Sequence, residues 1–413
     1  MMYQNLLDEG IKAGVIQKTT MTKKLTIDSE TKTYPVYKIR LDVLYFNDKN
    51  DRIATWISEY KANNEIDLSD VEAYNDVVQG FIIKSNEKAL MKTKNNIKVI
   101  GQQEAGVVLN DGRIIDGNRR FTCLRLLHKE NVNNTNWFEA VILPDSVSND
   151  MRRIKALELA LQHGVDAKVD YNPIDRLVGI YNDLIVNKTF TIGEYAQITN
   201  DTESEIRKKV GLAKLMADYL IFIDAPEKFY IARKQELDGP LNEIYNALRR
   251  HSEDTIEYKR IKKILFLYLA QKPSGDMTRY IRDINKKIIN SSFENGFIEE
   301  VMPSVEGFVK EIVKAETNGV KDPEKRIELA HENAPELVET VSKIKEKYVE
   351  KTNRESLQNQ PLELLQKGMD CIESIDLNIL AKLKKGQLDA VQKQLSDIQD
   401  KLNEVAEALD ALM

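Results

Sequence analysis

Short apolar strands and amphipathic helices are mixed in the first third of the chain. The segment 34–46 (YPVYKIRLDVLYF) alternates apolar and polar positions, which predicts a strand that leads into a turn at 47–50. Residues 52–90 have helical spacing. Residues 1–30 are polar, and we interpret them as an N-terminal arm. The pattern predicts a small α/β domain over 31–146.

A hairpin and a helix follow within that domain. The runs VVL and RIID flank the turn Asn110-Asp111-Gly112, which predicts two short paired strands. Gly117 ends the second strand, and NRRFTCLRLLHKE continues with helical periodicity. The run FEAVILP predicts another strand before the pattern changes.

From Val147 onward almost every segment has helical spacing. One helix stops at Gly164, and Asn172-Pro173 predicts a turn with proline in the first turn of the next helix. We expect an α+β fold: the small α/β domain, a helical domain over 147–225 and a helical region of unassigned role over 226–375.

The last segment, 376–413, contains a heptad repeat. Its apolar positions alternate spacings of four and three residues: Leu388, Val391, Leu395, Ile398, Leu402, Val405, Leu409 and Leu412. Such a seam normally pairs with another helix, which predicts a coiled-coil helix that joins two chains as a homodimer. The alternative is an amphipathic helix packed on its own domain.

Composition narrows the class of protein. The 413 residues are 42% hydrophobic and 31% charged, and no apolar run approaches the length of a membrane span. The two cysteines, Cys123 and Cys371, lack metal-ligand spacing, and the chain has four histidines without an HExxH motif. We expect a cytoplasmic protein without a transition-metal site or a membrane partner.

Charge is distributed unevenly. The net charge is −6, but residues 206–290 carry 18 Lys and Arg against 11 Asp and Glu, an excess of seven positive charges. A local basic region in an acidic chain is compatible with a DNA-binding middle segment, and such fluctuations also arise by chance in helical proteins.

The stretch GQQEAGVVLNDGRIIDGNRRFTCLRLL combines a buried strand, a glycine and paired arginines. Gly117 lets a ligand approach the backbone, and the helix that begins at Asn118 presents amide groups with partial positive charge. Arg119 and Arg120 can add bidentate contacts to phosphate oxygens. The alternative is that Asp116 caps the helix while the arginines pair with acidic residues.

This stretch resembles the core of the ParB/sulfiredoxin-like superfamily. Gly101, Gln103 and Val108 match its glycine–glutamine segment, in which Ala105 replaces the usual proline. Gly117–Arg120 corresponds to its G-E-R-R box, with Asn118 in place of the glutamate. The earlier strand and loop resemble the family's first box, which ends with an Asn- and Arg-containing loop. Its matches are Pro35, Ile39, Asn47 and Arg52. In partition proteins these boxes form a pocket for CTP.

The resemblance implies a pocket for a nucleoside triphosphate, CTP or ATP, with Mg²⁺ as a further candidate. The implied nucleotide-binding residues are Gln103, Gly117, Asn118, Arg119, Arg120 and Gln162. Gln103 would lie near the base or ribose, and the residues from Gly117 to Arg120 would hold the phosphates.

Two departures narrow the chemistry. Asn118 stands where the sulfiredoxin branch has its catalytic cysteine, which disfavours sulfinic-acid reduction, and Cys123 is most simply a core thiol. Leu159 and Ala160 stand where the family's third motif has Glu and Asn, with Glu158 one position away. The resemblance therefore supports nucleotide binding better than metal-dependent hydrolysis of the nucleotide. If the protein is an enzyme of this kind, we expect a weak NTPase.

The segment TIGEYAQITNDTESEIRKKVGLAKL has the spacing of a helix-turn-helix. Ala196 would lie where the helices cross, Asn200 in the turn and Ile206 under the second helix. ParB proteins carry their DNA-binding motif after an N-P-I/L-E turn like that at Asn172. The candidate DNA contacts are Thr202, Arg207, Lys208 and Lys209. The alternative is an ordinary helical hairpin.

Together these features predict a ParB-like, nucleotide-binding and DNA-binding dimer, associated with the nucleoid if it binds DNA, in which the nucleotide acts as a conformational switch. One alternative is an enzyme of the same fold, a nuclease or phosphotransferase of a phage-defence or mobile-element system, with Asp116, Glu104 and Glu158 as candidate catalytic residues. A third is an interaction scaffold without either ligand.

Overall fold

The computed structural model describes residues 5–28, 30–148, 150–164, 172–271 and 276–413. Its contacts divide the chain into a unit that reaches to Val349 and a C-terminal unit, Glu350–Met413. The predicted α+β class is confirmed, because a mixed sheet is followed by a mostly helical remainder. The first four residues of the predicted arm lie outside the described residues.

Six strands form one mixed sheet in the order β1-β2-β6-β4-β5-β3. The β6–β4 and β5–β3 pairs are parallel, and the other three pairs are antiparallel. The strands are β1 Ile16–Ile27, β2 Glu30–Arg40, β3 Tyr45–Phe46, β4 Gly106–Val108, β5 Arg113–Asp116 and β6 Trp137–Ile142. The predicted hairpin is β4–β5, with Gly112 at φ +94° in its turn.

The two faces of the sheet bury separate apolar clusters, because neighbouring residues of a strand point to opposite faces. On one face Phe46, Phe121 and Phe138 pack edge to face, with ring centroids 4.9 and 5.7 Å apart. On the other face Val107 and Val141 pack in a second cluster. The described residues of this part of the chain include the helices α1 Leu6–Lys12, α2 Ala54–Lys61, α3 Val71–Ser85, α4 Glu87–Ile100 and α5 Asn118–Lys129.

The remainder of the first unit is helical. Its elements are α6 Asp145–Ser148, α7 Met151–Gly164, α8 Pro173–Ile180, a π-helical turn Tyr181–Val186, α9 Ile192–Thr199, α10 Glu203–Phe222, α11 Phe229–Lys234, α12 Asp238–Leu248, α13 Ile256–Ala270, α14 Met277–Lys287, α15 Glu294–Thr317, α16 Pro323–Asn333 and α17, which begins at Pro335 and ends at Glu373. Asn172 caps α8 through its side-chain oxygen, and Pro173 occupies the first turn, as predicted.

The described part of residues 1–30 contains regular secondary structure, and its interpretation as an N-terminal arm stays a prediction. It forms α1 and the long edge strand β1, which pairs with β2 along most of its length. The sequence did not predict this strand because IQKTTMTKKLTI is polar at most positions, and its burial is confined to its two ends. The predicted domain boundaries stay predictions.

Helices α9 and α10 pack against each other across a short turn. Asn200 adopts the left-handed conformation, with φ 57° and ψ 34°, and Asp201 donates its amide back to the Ala196 carbonyl. Ala196 and Ile206 are buried in the helical core, as the spacing predicts. The role of this pair in binding DNA stays a prediction.

The C-terminal unit contains the end of α17, the short helix α18 Leu377–Leu380 and the long helix α19 Lys385–Asp410. None of its residues, all of which the structure describes, is buried. The heptad positions Leu395, Leu402 and Leu409 have 47%, 46% and 51% of their surface exposed. The apolar seam of α19 is therefore open to solvent. Among the described residues no helix combines the length and apolarity that a bilayer crossing requires.

Candidate anion-binding site

The start of α5 forms one wall of a cavity of about 280 Å³. Gly117 is the N-cap residue, with φ 99° and ψ 16°, a conformation that glycine adopts without strain. Because glycine has no side chain, it cannot itself cap the amide groups of the first turn. The end of a twelve-residue helix therefore faces this cavity with its partial positive charge.

The cavity brings together all six predicted nucleotide-binding residues. Its lining includes Gln103, Gly117, Asn118, Arg119, Arg120 and Gln162. The first-box residue Arg52 lies in the same wall, and Ile53, Ile82 and Ile97 supply apolar surface. Residues from 50 to 162 thus converge on one space.

Arg120 is held in place by the strand before it. Its guanidinium donates to Asp116 at 2.9 Å and to the backbone carbonyl of Glu104 at 3.0 Å. Lys23, from the edge strand β1, lies 3.4 Å from the same carboxylate. Asp116 therefore pairs with two cations. It does not cap α5, so the alternative in which Asp116 is the helix cap is wrong.

The other acidic candidates lie at different depths. Glu104 is exposed at the cavity, whereas Glu158 is only 2% exposed. Among the described residues, no three His, Cys, Asp or Glu side chains are placed to hold a metal ion. The catalytic roles of Asp116, Glu104 and Glu158 stay predictions.

Two residues that line the cavity, Asn118 and Gln162, each have a buried amide oxygen without a partner among the described residues. Asn118 and Gln162 are each 9% exposed, and within the described part of the chain neither Asn118 Oδ1 nor Gln162 Oε1 has a hydrogen-bond partner. Buried polar atoms are paired in the great majority of cases, so these two oxygens indicate groups that a bound molecule can satisfy.

An ionic cluster that the sequence did not predict lies beyond Gln162. Lys155 Nζ is 2.9 Å from both carboxylate oxygens of Asp51 and 3.8 Å from oxygens of Glu158 and Asp183. Burial alone would lower the pKa of Lys155, but the three carboxylates outweigh it and raise that pKa above its ordinary value.

The carboxyl groups of this cluster are themselves perturbed. Burial raises the pKa of Glu158 to about 7, and Lys155 opposes that rise while Asp51 and Asp183 add to it. Burial likewise raises the pKa of Asp183 to about 7. A charged residue such as Asp183 within the apolar run IYNDLIV is the one sequence signal that could have indicated this cluster.

Cys123 lies in the core, as predicted. It is fully buried on α5, and its thiol lies 3.5 Å from the Leu90 carbonyl. Burial raises the pKa of the Cys123 thiol to about 12, so the reactive thiolate is disfavoured.

The predicted DNA contacts lie along the first turns of α10. Thr202 caps this helix in a capping box with Glu205. Arg207 pairs with Glu203 at 2.9 Å, and Lys209 lies 3.2 Å from Asp201. Lys208 is exposed. The pKa of Lys209 is lowered, mainly by burial and secondly by the positive charge of the nearby Arg176.

Comparison with known proteins places the chain in no family. The sequence matches no protein-family model, and it matches no curated protein. The solved structures that it matches include a crystal structure of the C-terminally truncated chromosome-partitioning protein ParB from Caulobacter crescentus complexed with CTP-γ-S. That match has 14% sequence identity, covers 55% of this chain and 98% of that one, and has a TM-score of 0.19. At this level of similarity neither family nor function is assigned from it.

Proposed function

We propose that this protein binds a nucleoside triphosphate, CTP or ATP, in the cavity at the start of α5. The observation that carries the proposal is the convergence of the glycine–arginine box, Gln103 and Gln162 on that one cavity. Helix amides, guanidinium groups and unpaired amide oxygens are the groups that phosphates and a nucleoside require.

Charge supports the phosphate end of this proposal. Three arginines line the cavity, Arg52, Arg119 and Arg120, against two carboxylates, those of Asp116 and Glu104. Because Asp116 is shared between Lys23 and Arg120, an anionic ligand adds negative charge where positive charge is in excess. Arg120 is oriented toward the strand, and both Arg119 and Arg120 line the cavity as candidates for a direct phosphate contact.

We extend the proposal to a ParB-like assembly, in which two chains pair through α19 and the first turns of α10 contact DNA. The open apolar seam of α19 supports the pairing. The excess of positive charge over 206–290 and the exposed Lys208 support DNA as the partner. In this proposal the nucleotide acts as a conformational switch: its binding changes the conformation of the dimer and thereby the affinity of the dimer for DNA.

The test is a binding panel on the purified full chain. CTP, ATP, GTP and UTP are titrated with and without Mg²⁺ while heat and thermal unfolding are followed, and duplex DNA is added at low salt as a second arm. Binding of at least one nucleotide is expected, together with DNA binding that weakens steeply with salt. If no nucleotide gives heat or a thermal shift, the nucleotide proposal is wrong. DNA cleavage or phosphate transfer that Asp116→Ala abolishes would instead support the enzyme.

A further inference from the structure

The amide side chain of Gln162 is fixed in one orientation. Its Nε2 group donates to Glu158 Oε1 at 3.1 Å and to Asn50 Oδ1 at 3.4 Å. Glu158 Oε1 already accepts from Asn47 Nδ2 at 3.3 Å, and Asn50 Oδ1 accepts the Arg52 amide at 3.0 Å. Turning the amide of Gln162 over would set oxygen against two acceptor oxygens, so Nε2 faces the protein.

In this orientation the side-chain carbonyl oxygen of Gln162, Oε1, is an acceptor without a hydrogen-bond donor among the described residues. The side chain is nine-tenths buried and lines the cavity, and no donor from the described part of the chain reaches Oε1. An acceptor that has lost water and gained no donor is costly, so a ligand that brings a donor is favoured over one that does not.

We propose that Gln162 is a specificity-determining acceptor for a hydroxyl or amino hydrogen on the nucleoside part of the ligand, and that Glu158 is the positioning residue that holds it. The inference rests on the proposed function, since it concerns the same cavity. Phosphates carry acceptors rather than donors at neutral pH, so the phosphate groups cannot satisfy Gln162. The nucleoside can.

Glu158 is well suited to this positioning role. Its Oε1 atom also accepts from Asn47 Nδ2 at 3.3 Å, and its Oε2 atom lies 3.8 Å from Lys155. The carboxylate is therefore fixed from two further directions, both outside the cavity. Asn47 comes from the loop after β3, and Glu158 and Gln162 lie one turn apart on α7.

The test compares two probes on the parent and on Gln162→Met, which keeps the length of the side chain and removes the acceptor. Calorimetry is run with the nucleotide that binds best and with inorganic tripolyphosphate, which has phosphates and no nucleoside. We expect the variant to lose roughly 5- to 50-fold in affinity for the nucleotide and to bind tripolyphosphate as the parent does. Tripolyphosphate binding also shows that the variant is folded.

Analogues identify which donor Gln162 accepts. A 2′-deoxy or 3′-deoxy nucleotide that binds more weakly to the parent, but not to Gln162→Met, identifies a ribose hydroxyl. A preference for CTP over UTP that disappears in the variant identifies a base amino group. Glu158→Gln, which presents either a donor or an acceptor to Gln162, should reduce the ratio of nucleotide to tripolyphosphate affinity as well.

The results distinguish a failure of the Gln162 role from a failure of nucleotide binding itself. If the parent binds neither probe, the proposed function is wrong and the inference falls with it. If the parent binds both probes and Gln162→Met leaves their affinity ratio unchanged, the nucleotide site stands and the role of Gln162 is wrong.

Discussion

At the scale of single residues, Gly117 is the position at which backbone, core and candidate site meet. Its φ of 99° favours glycine, and a Cβ there would lie 2.8 Å from the ring of the buried Phe138 and 3.4 Å from the Arg120 guanidinium. The residue therefore fixes both the packing under α5 and the arginine that lines the cavity.

Gly117→Ala should lower the free energy of unfolding by about 2–4 kcal/mol, because left-handed strain is combined with a collision in the core. Gly319→Ala is the matched control, since Gly319 also has positive φ, at 84°, but nothing within 4 Å of a Cβ. That control should cost only about 1–2 kcal/mol. Urea unfolding measures both, and equal costs would contradict the account of Phe138.

The sequence indicates a candidate role most directly where that role depends on the residue's own chemistry and its neighbours in the chain. Gly117, Arg119 and Arg120 were predicted because a glycine before a helix with adjacent arginines suits an anion and because this box resembles a known family, and their role stays a prediction. Lys23 and Asp51 were not found. Each acts through a partner about 90 to 100 positions away in the chain, and nothing local to either residue indicates that partner.

At the scale of elements, three segments enclose the ionic cluster around Lys155. It is formed by α7, by the 3₁₀ turn Asp51–Ile53 and by the π-helical turn that follows α8. A π-helical turn changes which side chains face inward, and here it carries the buried Asp183. Apolar periodicity predicted the helices, but it does not indicate a local change of helical pitch.

The cluster gives the fold a pH dependence of defined sign. A carboxyl group whose pKa is higher in the folded chain than in the unfolded chain stabilises the fold most at low pH. That contribution is lost as the pH rises toward the folded value, about 7 for Glu158 and for Asp183. Between pH 5 and 8 the parent should therefore lose stability relative to Glu158→Gln.

The expected size of this relative loss is of the order of 1–3 kcal/mol, since one pKa unit corresponds to about 1.4 kcal/mol. Urea unfolding of the parent and Glu158→Gln at a series of pH values measures it, and Asp183→Asn should show the same sign. A difference between parent and variant that stays constant from pH 5 to 8 would contradict the burial of a titrating carboxyl group.

At the scale of the whole molecule, local patterns predicted the class of the fold and the hairpin β4–β5. They did not predict the order of the six strands. The edge strand β1 has a polar sequence, and it is held by pairing with β2 rather than by apolar faces along its length. Strand order depends on such long-range pairing, which hydrophobic periodicity does not encode.

Pairing of two chains should depend on the seam of α19. Leu402→Asp places a charge in that seam and should convert a dimer to a monomer in sedimentation or light scattering, with weaker DNA binding as a consequence of the lost second chain. Asn403→Asp adds the same charge beside the seam, and this control variant should still sediment or scatter with the mass of a dimer. A parent that sediments as a monomer would refute the pairing.

The central claim is that the start of α5 binds the phosphates of a nucleotide. Arg119 lines that cavity, whereas Arg207 lies outside it on the exposed surface of α10. Calorimetric titration of the preferred nucleotide into Arg119→Ala and Arg207→Ala tests the claim most directly. We expect Arg119→Ala to bind roughly 10- to 100-fold more weakly than the parent and Arg207→Ala to bind equally well. Equal binding by the parent and Arg119→Ala would contradict the claim.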